Sequence, residues 1–179
     1  MSKPIIRYTT KGFSQTDMKF IKVTLDDERG MAHTHAFKRC QKPFQPDVNI
    51  KLTPRKTMIE LFGDKLPLKG LSVTDRGLSP KIIYIDELNW NHVPKKFKGT
   101  ITVYRQYLIQ HEMGHCLGLD HAQPIPHENC PVMYQQTRGT QICRANPWIT
   151  MDHRQKKIRK TRKTRNTRKT LRRTRFVAQ

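Results

Sequence analysis

The stretch HEMGHCLGLDH, residues 111 to 121, holds histidines at 111, 115 and 121, a glutamate at 112 and a glycine at 118. Residues four apart on a helix share a face, so His111 and His115 can direct two imidazoles at one ion. Gly118 can take the left-handed conformation that ends a helix, which turns the chain back and brings His121 into reach. Three neutral imidazoles leave the fourth tetrahedral position open to water, as in a catalytic rather than a structural zinc site. Glu112 adjoins the first ligand, on the side where that water would sit. These residues predict one zinc per chain on His111, His115 and His121. Glu112 would be the base that takes a proton from the water and passes it to the leaving nitrogen of a peptide bond. The plainer alternative is a helix whose histidines are solvated or packed in a core.

The elements that must position these side chains can be read along the chain. KPIIRYTT is rich in β-branched and aromatic residues and predicts a first strand. In SQTDMKFIKVTLDDERG, Met18, Ile21 and Leu25 recur at helical spacing and Gly30 closes the segment. VNIKLT alternates as a second strand, and Thr53 with Pro54 suggest the N-cap and first position of a short helix ended by Gly63. LKGLSVTDRGLSP is turn-rich, KIIYID is a third and more buried strand, and NWNHVPKKFKGT reads as a loop. A long helix is expected from about Thr100 to Leu117, with Ile101, Tyr104, Leu108, His111 and His115 near one face. Beyond Gly118 the chain reads as loop up to NPWIT. Few strands and separate helices favour an α+β domain.

The chain has 179 residues, enough for one domain with a real core, and a formal net charge of +21. That charge is uneven. From Arg154 to Gln179 there are 13 Lys or Arg and no Asp or Glu, which leaves 22 basic and 14 acidic residues elsewhere. We therefore divide the chain into a moderately basic body, residues 1–152, and a tail, residues 153–179. No stretch is apolar and long enough to span a membrane, and the N-terminus has no signal-peptide core. The expectation from these features is a monomer kept inside a cell, in the cytoplasm or the nucleus. Four cysteines are too few and too scattered for a disulfide scaffold.

The long motif resembles that of the metzincin zinc metallopeptidases, and its GLDH ending is especially matrixin-like. In CPVMY, twelve residues after His121, Met133 stands where the Met-turn methionine floors the zinc site. The plainer reading of Met133 is a core methionine. PVMYQQTRGTQICRANPW is similar to the end of a bacterial family of mostly secreted, functionally undefined metzincin-like domains, with the order PVM, QQT, Cys, NPW. The similarity extends upstream to YRQYLIQHEMGH, and more weakly to LDDERGMAHTHAFKRC and VNIKLTP, covering roughly residues 5 to 150. The resemblance implies a minimal zincin with a small mixed sheet, a long active-site helix, a Met-turn and a short C-terminal subdomain. It implies a zinc-dependent endopeptidase acting on a peptide or protein. This chain departs from those relatives in its basic tail, its lack of a leader, and Cys116 where Ala is usual. Cys116 reads as a small buried residue. Tyr134 is a candidate oxyanion donor, or else a buried aromatic. The relatives have cysteines near Cys130 and Cys143. A disulfide between these two would brace the Met-turn segment, whereas a reducing cytosol would leave two thiols.

Weaker signals remain. His33 and His35 form an HxH pair whose alternation on a strand would point both at a second metal, against the simpler reading of solvated histidines. Cys40 in RCQKPFQPDV faintly resembles the cysteine switch that keeps matrixins latent. The tail repeats basic-basic-Thr, with only Leu171 and Phe176 as large apolar residues in RKTRKTRNTRKTLRRTRF, so it is expected to be disordered alone. Its charges suit a nucleic acid or other polyanion over residues 154–175, a nuclear localisation signal, or an anionic membrane surface. Such tails resemble those of large DNA virus proteins. Two functions follow: a peptidase localised by its tail, or a nucleic-acid-binding or packaging protein that keeps the zincin body as a scaffold. A lapsed enzyme would tend to lose Glu112 or a ligand, and all four groups are present.

Overall fold

Strand β1 (Ile5–Lys11) lies between β2 (Ala36–Arg39) and β3 (Val48–Thr53), parallel to both. In this computed structural model, residues 2–63 and 72–149 are described. The basic segment 153–179 and the expected domain boundary at 152 lie outside them. The sheet continues through β5 (Lys81–Asp86), parallel to β3, to the antiparallel β4 (Val73–Asp75), giving the order β2-β1-β3-β5-β4. The described residues thus form an α+β fold with a five-stranded mixed sheet. Four α-helices accompany it: α1 (Gln15–Asp26), α2 (Arg55–Phe62), α3 (Glu87–Asn91) and α4 (Ile101–Cys116). Helix α1 supplies the crossover that lets β1 and β2 run parallel, which a tight turn cannot do.

Register decides which side chains are buried. Tyr8 stands opposite Val48, Ile50 opposite Ile83, and Leu52 opposite Ile85. Tyr8, Val48, Ile50, Ile83 and Ile85 are all buried, so one face of the central strands is core. Each such side chain contributes roughly 1.5–3 kcal/mol relative to exposure. The opposite face is covered in part by α2, whose Phe62 meets Tyr84 edge to face at 5.1 Å. Helix α1 brings Ile21 and Leu25 into the core, with Ser14 capping its first turn by accepting from the Asp17 amide.

Several local expectations are corrected. Gly30 does not close α1, which ends at Asp26. It gives room to Gln110, whose side chain a Cβ there would overlap. Gln110 donates to the Thr24 carbonyl at 2.5 Å and accepts from the Met31 amide at 2.8 Å, tying the end of α1 to α4. Thr53 is not the N-cap of α2. It is the last residue of β3, opposite Asp86, and Pro54 takes the cap position with an extended backbone. The turn-rich segment contains β4, and α3, capped by Asp86, runs into the first three residues of the expected loop. Strand β2 is an element that the sequence pattern does not reveal.

His33 closes a short 3-10 turn, Met31–His33, and His35 precedes β2, so the strand alternation needed for an HxH metal pair does not occur. Cys40 follows β2, at the sheet edge opposite β4, and its thiol donates to the Phe44 carbonyl at 3.0 Å. Four strand spacings, about 19 Å, separate those edges. With α4 packed on β4 and β5, a cysteine switch from Cys40 is excluded in this arrangement.

Candidate metal centre

Helix α4 begins at a cap in which the Thr100 hydroxyl accepts from the Val103 amide at 3.2 Å. It runs unbroken to Cys116, and Gly118 follows with φ +82. That left-handed residue ends the helix as expected: the Leu119 amide reaches back to the Gly114 carbonyl at 2.9 Å. The expected face is there, with Tyr104, Leu108 and His111 buried and Ile101 and His115 half-buried, but burial extends well beyond it. Ten residues of the helix are buried, including Tyr107 through Gly114 without a gap. The site therefore sits on a core helix rather than a surface one.

His111, His115 and His121 come together, with ligand atoms within 4.8 Å of one another. Among the described residues this is the group of His, Cys, Asp or Glu that could hold an ion. Nδ1 of His111 lies 2.7 Å from the Val132 carbonyl, and Nδ1 of His115 lies 2.9 Å from the Leu119 carbonyl. A carbonyl only accepts, so both Nδ1 atoms carry the proton and both Nε2 lone pairs are free for a metal. The Nε2 atoms of His115 and His121 are 3.2 Å apart. Two nitrogens on one zinc, each about 2.05 Å away at a tetrahedral angle, stand about 3.3 Å apart. That pair and the three-imidazole donor set fit such an ion, with the third ligand atom within 4.8 Å of the other two.

Burial favours the neutral, ligating form of each ring. It holds His111 down to about 3, with the His115 charge in support and the Val132 hydrogen bond opposing. Burial also lowers His115, against the Leu119 hydrogen bond. His121 is lowered by burial, then by Arg138 and Arg76, with Asp120 opposing.

Glu112 is 4% exposed. The Thr74 hydroxyl, on β4, donates to its Oε2 at 2.5 Å. Burial pushes the Glu112 carboxyl up to about 7, and the Thr74 bond pulls the other way. A carboxyl near neutrality can both accept and return a proton. Thr74 was missed by sequence reasoning, because a short polar edge strand carries no signal that marks one threonine.

Met133 is fully buried, and its Sδ occupies the space where a Cβ on Gly114 would fall. Its carbonyl accepts from the Ala122 amide at 3.0 Å, which ties the His121 loop to the Met133 turn. The turn is braced by residues of the QQT and NPW motifs. Gln136 donates to the Pro131 carbonyl at 3.2 Å and the Asn146 carbonyl at 2.7 Å, and accepts from the Asn146 amide at 3.0 Å. Asn146 in turn donates to the Cys130 carbonyl at 2.9 Å and the Trp148 carbonyl at 2.8 Å. Cys130 and Cys143 form a disulfide across the same loop. Cys116 is buried and its thiol is pushed up to about 12 by burial, as fits a small packing residue.

Tyr134 is half-buried, and its carbonyl accepts from the Tyr107 hydroxyl at 3.1 Å. Tyr107 also accepts from the Gln136 amide at 3.0 Å, and its ring lies 5.1 Å from that of His111. Tyr107 was not singled out from the sequence, where it reads as one more apolar position of the helix.

The fold and the site define an α+β protein with three histidines placed to bind one metal ion. Residues 6–160 match the family described as a protein of unknown function, DUF3152, and the chain belongs to that family. No curated protein matches the chain. No helix of the described residues is long and apolar enough to cross a membrane.

Proposed function

We propose that this protein is a zinc-dependent endopeptidase of the metzincin type, built on a minimal zincin fold. The observation that carries the reading is the pairing of three convergent histidines with Glu112, a buried carboxyl of α4 that lies outside the ligand group. Zinc bound there would polarise a peptide carbonyl and acidify a water. Glu112 accepts the proton of the attacking water and delivers it to the leaving nitrogen, so that one carboxyl serves as base and then acid. Thr74 keeps that carboxyl oriented through both transfers. Val132 and Leu119 hold His111 and His115 in the tautomer that leaves Nε2 unprotonated.

Met133 floors the centre from beneath Gly114, in the manner of a Met-turn. Tyr134 remains the candidate oxyanion donor. Strand β4 is the last strand in the sheet order and carries Thr74, so an extended peptide adding to that edge would pass beside Glu112.

The test is zinc content and peptide cleavage measured together. Purified protein should hold one zinc per chain, His115→Ala should lose it, and Glu112→Ala should keep it while losing cleavage by several orders of magnitude. Zinc-replete wild-type protein without bound metal would overturn the reading, and so would a Glu112→Ala variant that cleaves as well as wild type.

A further inference from the structure

Two arginines belong to segments that adjoin the candidate metal centre. Arg76, in the turn after β4, lies 3.4 Å from Asp120, the neighbour of His121. Arg138 ends a 3-10 turn, Gln136–Arg138, that follows directly on the Met133 and Tyr134 segment. The guanidinium charges of both arginines act on His121. Asp120 answers Arg76 only weakly, at that distance and with both side chains exposed. Arg138 is exposed and makes no ion pair among the described residues.

The positive charge continues away from the histidines. The Thr140 amide donates to the Lys96 carbonyl at 3.1 Å, and the Lys98 amide donates to the Thr140 hydroxyl at 2.8 Å. The backbone that carries Arg138 is thereby stitched to the loop that carries Lys96 and Lys98, and both lysines are exposed. In the sequence from Asn91 to Gln141, the acidic residues are the buried Glu112, Asp120 and Glu128. Arg138 and the Lys96–Lys98 loop thus lie on adjoining, stitched segments that expose Arg138, Lys96 and Lys98 and hold no acidic residue within 91–100 or 136–141, a cationic ridge.

We propose that the site selects acidic peptides, with Arg138 receiving a carboxylate close to the scissile bond and Lys96 and Lys98 receiving further acidic residues along the same ridge. This rests on the peptidase reading for the position of the bond. The charge complementarity itself rests on the ridge. A peptide with carboxylates on that side replaces the missing counter-charge, and one with lysines meets three like charges.

The experiment uses the zinc-loaded full chain and three peptide hydroxamates of equal length, differing only in having Glu, Ser or Lys at the positions next to the hydroxamate. Affinity is measured by titration, and cleavage is measured with matched peptides. The acidic hydroxamate should bind at least about fivefold more tightly than the neutral one and more tightly again than the basic one, with the margin shrinking as salt rises. Arg138→Glu should invert the order while zinc content stays unchanged.

Equal affinities in wild type would overturn the proposal, as would an unchanged order in Arg138→Glu or failure of all three to bind. Acid-selective binding without cleavage of any peptide would uphold the ridge and remove the peptidase reading. Cleavage without charge preference would do the reverse. A single-stranded oligonucleotide that displaces the acidic hydroxamate better than an acidic peptide of equal charge would overturn the assignment in favour of a nucleic-acid interface.

Discussion

Gly114 and Met133 occupy one another's space: the methionine sulfur lies where any side chain on that glycine would have to begin. Met31 closes the same pocket, its Cε 2.9 Å from the position of such a Cβ. A glycine inside a helix costs roughly 0.5–1 kcal/mol against alanine, so packing rather than backbone freedom accounts for it here. Gly114→Ala should destabilise the protein by about 1–3 kcal/mol and weaken metal binding, because the floor under His111 and His115 must shift. Met133→Ala in the same chain should recover part of the loss, as a coupled pair does. Thermal melts with and without zinc would read both effects. A more stable Gly114→Ala protein would show that the packing is not tight.

The buried Glu112 gives a pH signature in metal-free protein. Its folded value of about 7 lies above the ordinary 4.5, so the folded state holds an extra proton between those values. The stability tied to that proton is complete below the unfolded value and is lost as pH rises through about 7. Glu112→Gln keeps the shape and the acceptor for Thr74 without the charge. The variant should match wild type near pH 4.5 and exceed it by about 1–3 kcal/mol at pH 8. A difference that stays flat across that range would mean the carboxyl is not buried as described.

The loop that carries Met133 is held by a disulfide, by the Gln136 side chain on the Asn146 backbone, and by the Asn146 side chain on the Cys130 and Trp148 carbonyls. These act in parallel, so removing two should cost more than either alone. Asn146→Ala leaves the Cys130 and Trp148 carbonyls without the side-chain amide that donates to them, and should cost about 1–3 kcal/mol. Reduction of Cys130–Cys143 should lower the melting temperature of Asn146→Ala and loosen its zinc, measured by chelator competition. Reduction that leaves both unchanged would show that the disulfide carries no part of the loop's stability.

The basic segment beyond Arg154 can be tested apart from the site. Deleting residues 154 to 179 removes 13 Lys or Arg. Zinc binding should be retained, while affinity for two unrelated oligonucleotides should fall. The slope of log affinity against log salt should flatten by about one unit for each phosphate that is no longer neutralised. Equal affinity of the full and shortened chains would assign nucleic-acid binding to the body or to neither.

The helix that carries the histidines was legible in the sequence because its signals are local. Thr100 and Gly118 punctuate it, and the spacing of His111, His115 and His121 needs only a helix and a turn. Its surroundings were less legible. Burial on nearly every side of α4 leaves no periodic stripe, so the helix looks less regular than it is. In β2 only Phe37 is buried, and β4 has three residues, too little for a pattern to emerge. Thr74, Gln136 and Asn146 are polar residues whose work is done by long-range hydrogen bonds. Residue type alone marks them as turn formers.

Thr74 divides the proposed site into two parts. The histidines, the carbonyls that orient them and the methionine beneath them all lie between residues 111 and 133. The Glu112 carboxyl alone among these groups leans on the sheet, through the Thr74 hydroxyl of β4. On the proposed reading, capture of the ion belongs chiefly to a contiguous cassette, and reactivity to how that cassette docks on the sheet's margin. A lineage could keep the first while letting the second drift, turning a peptidase into a metal-holding module by changes nowhere near a ligand.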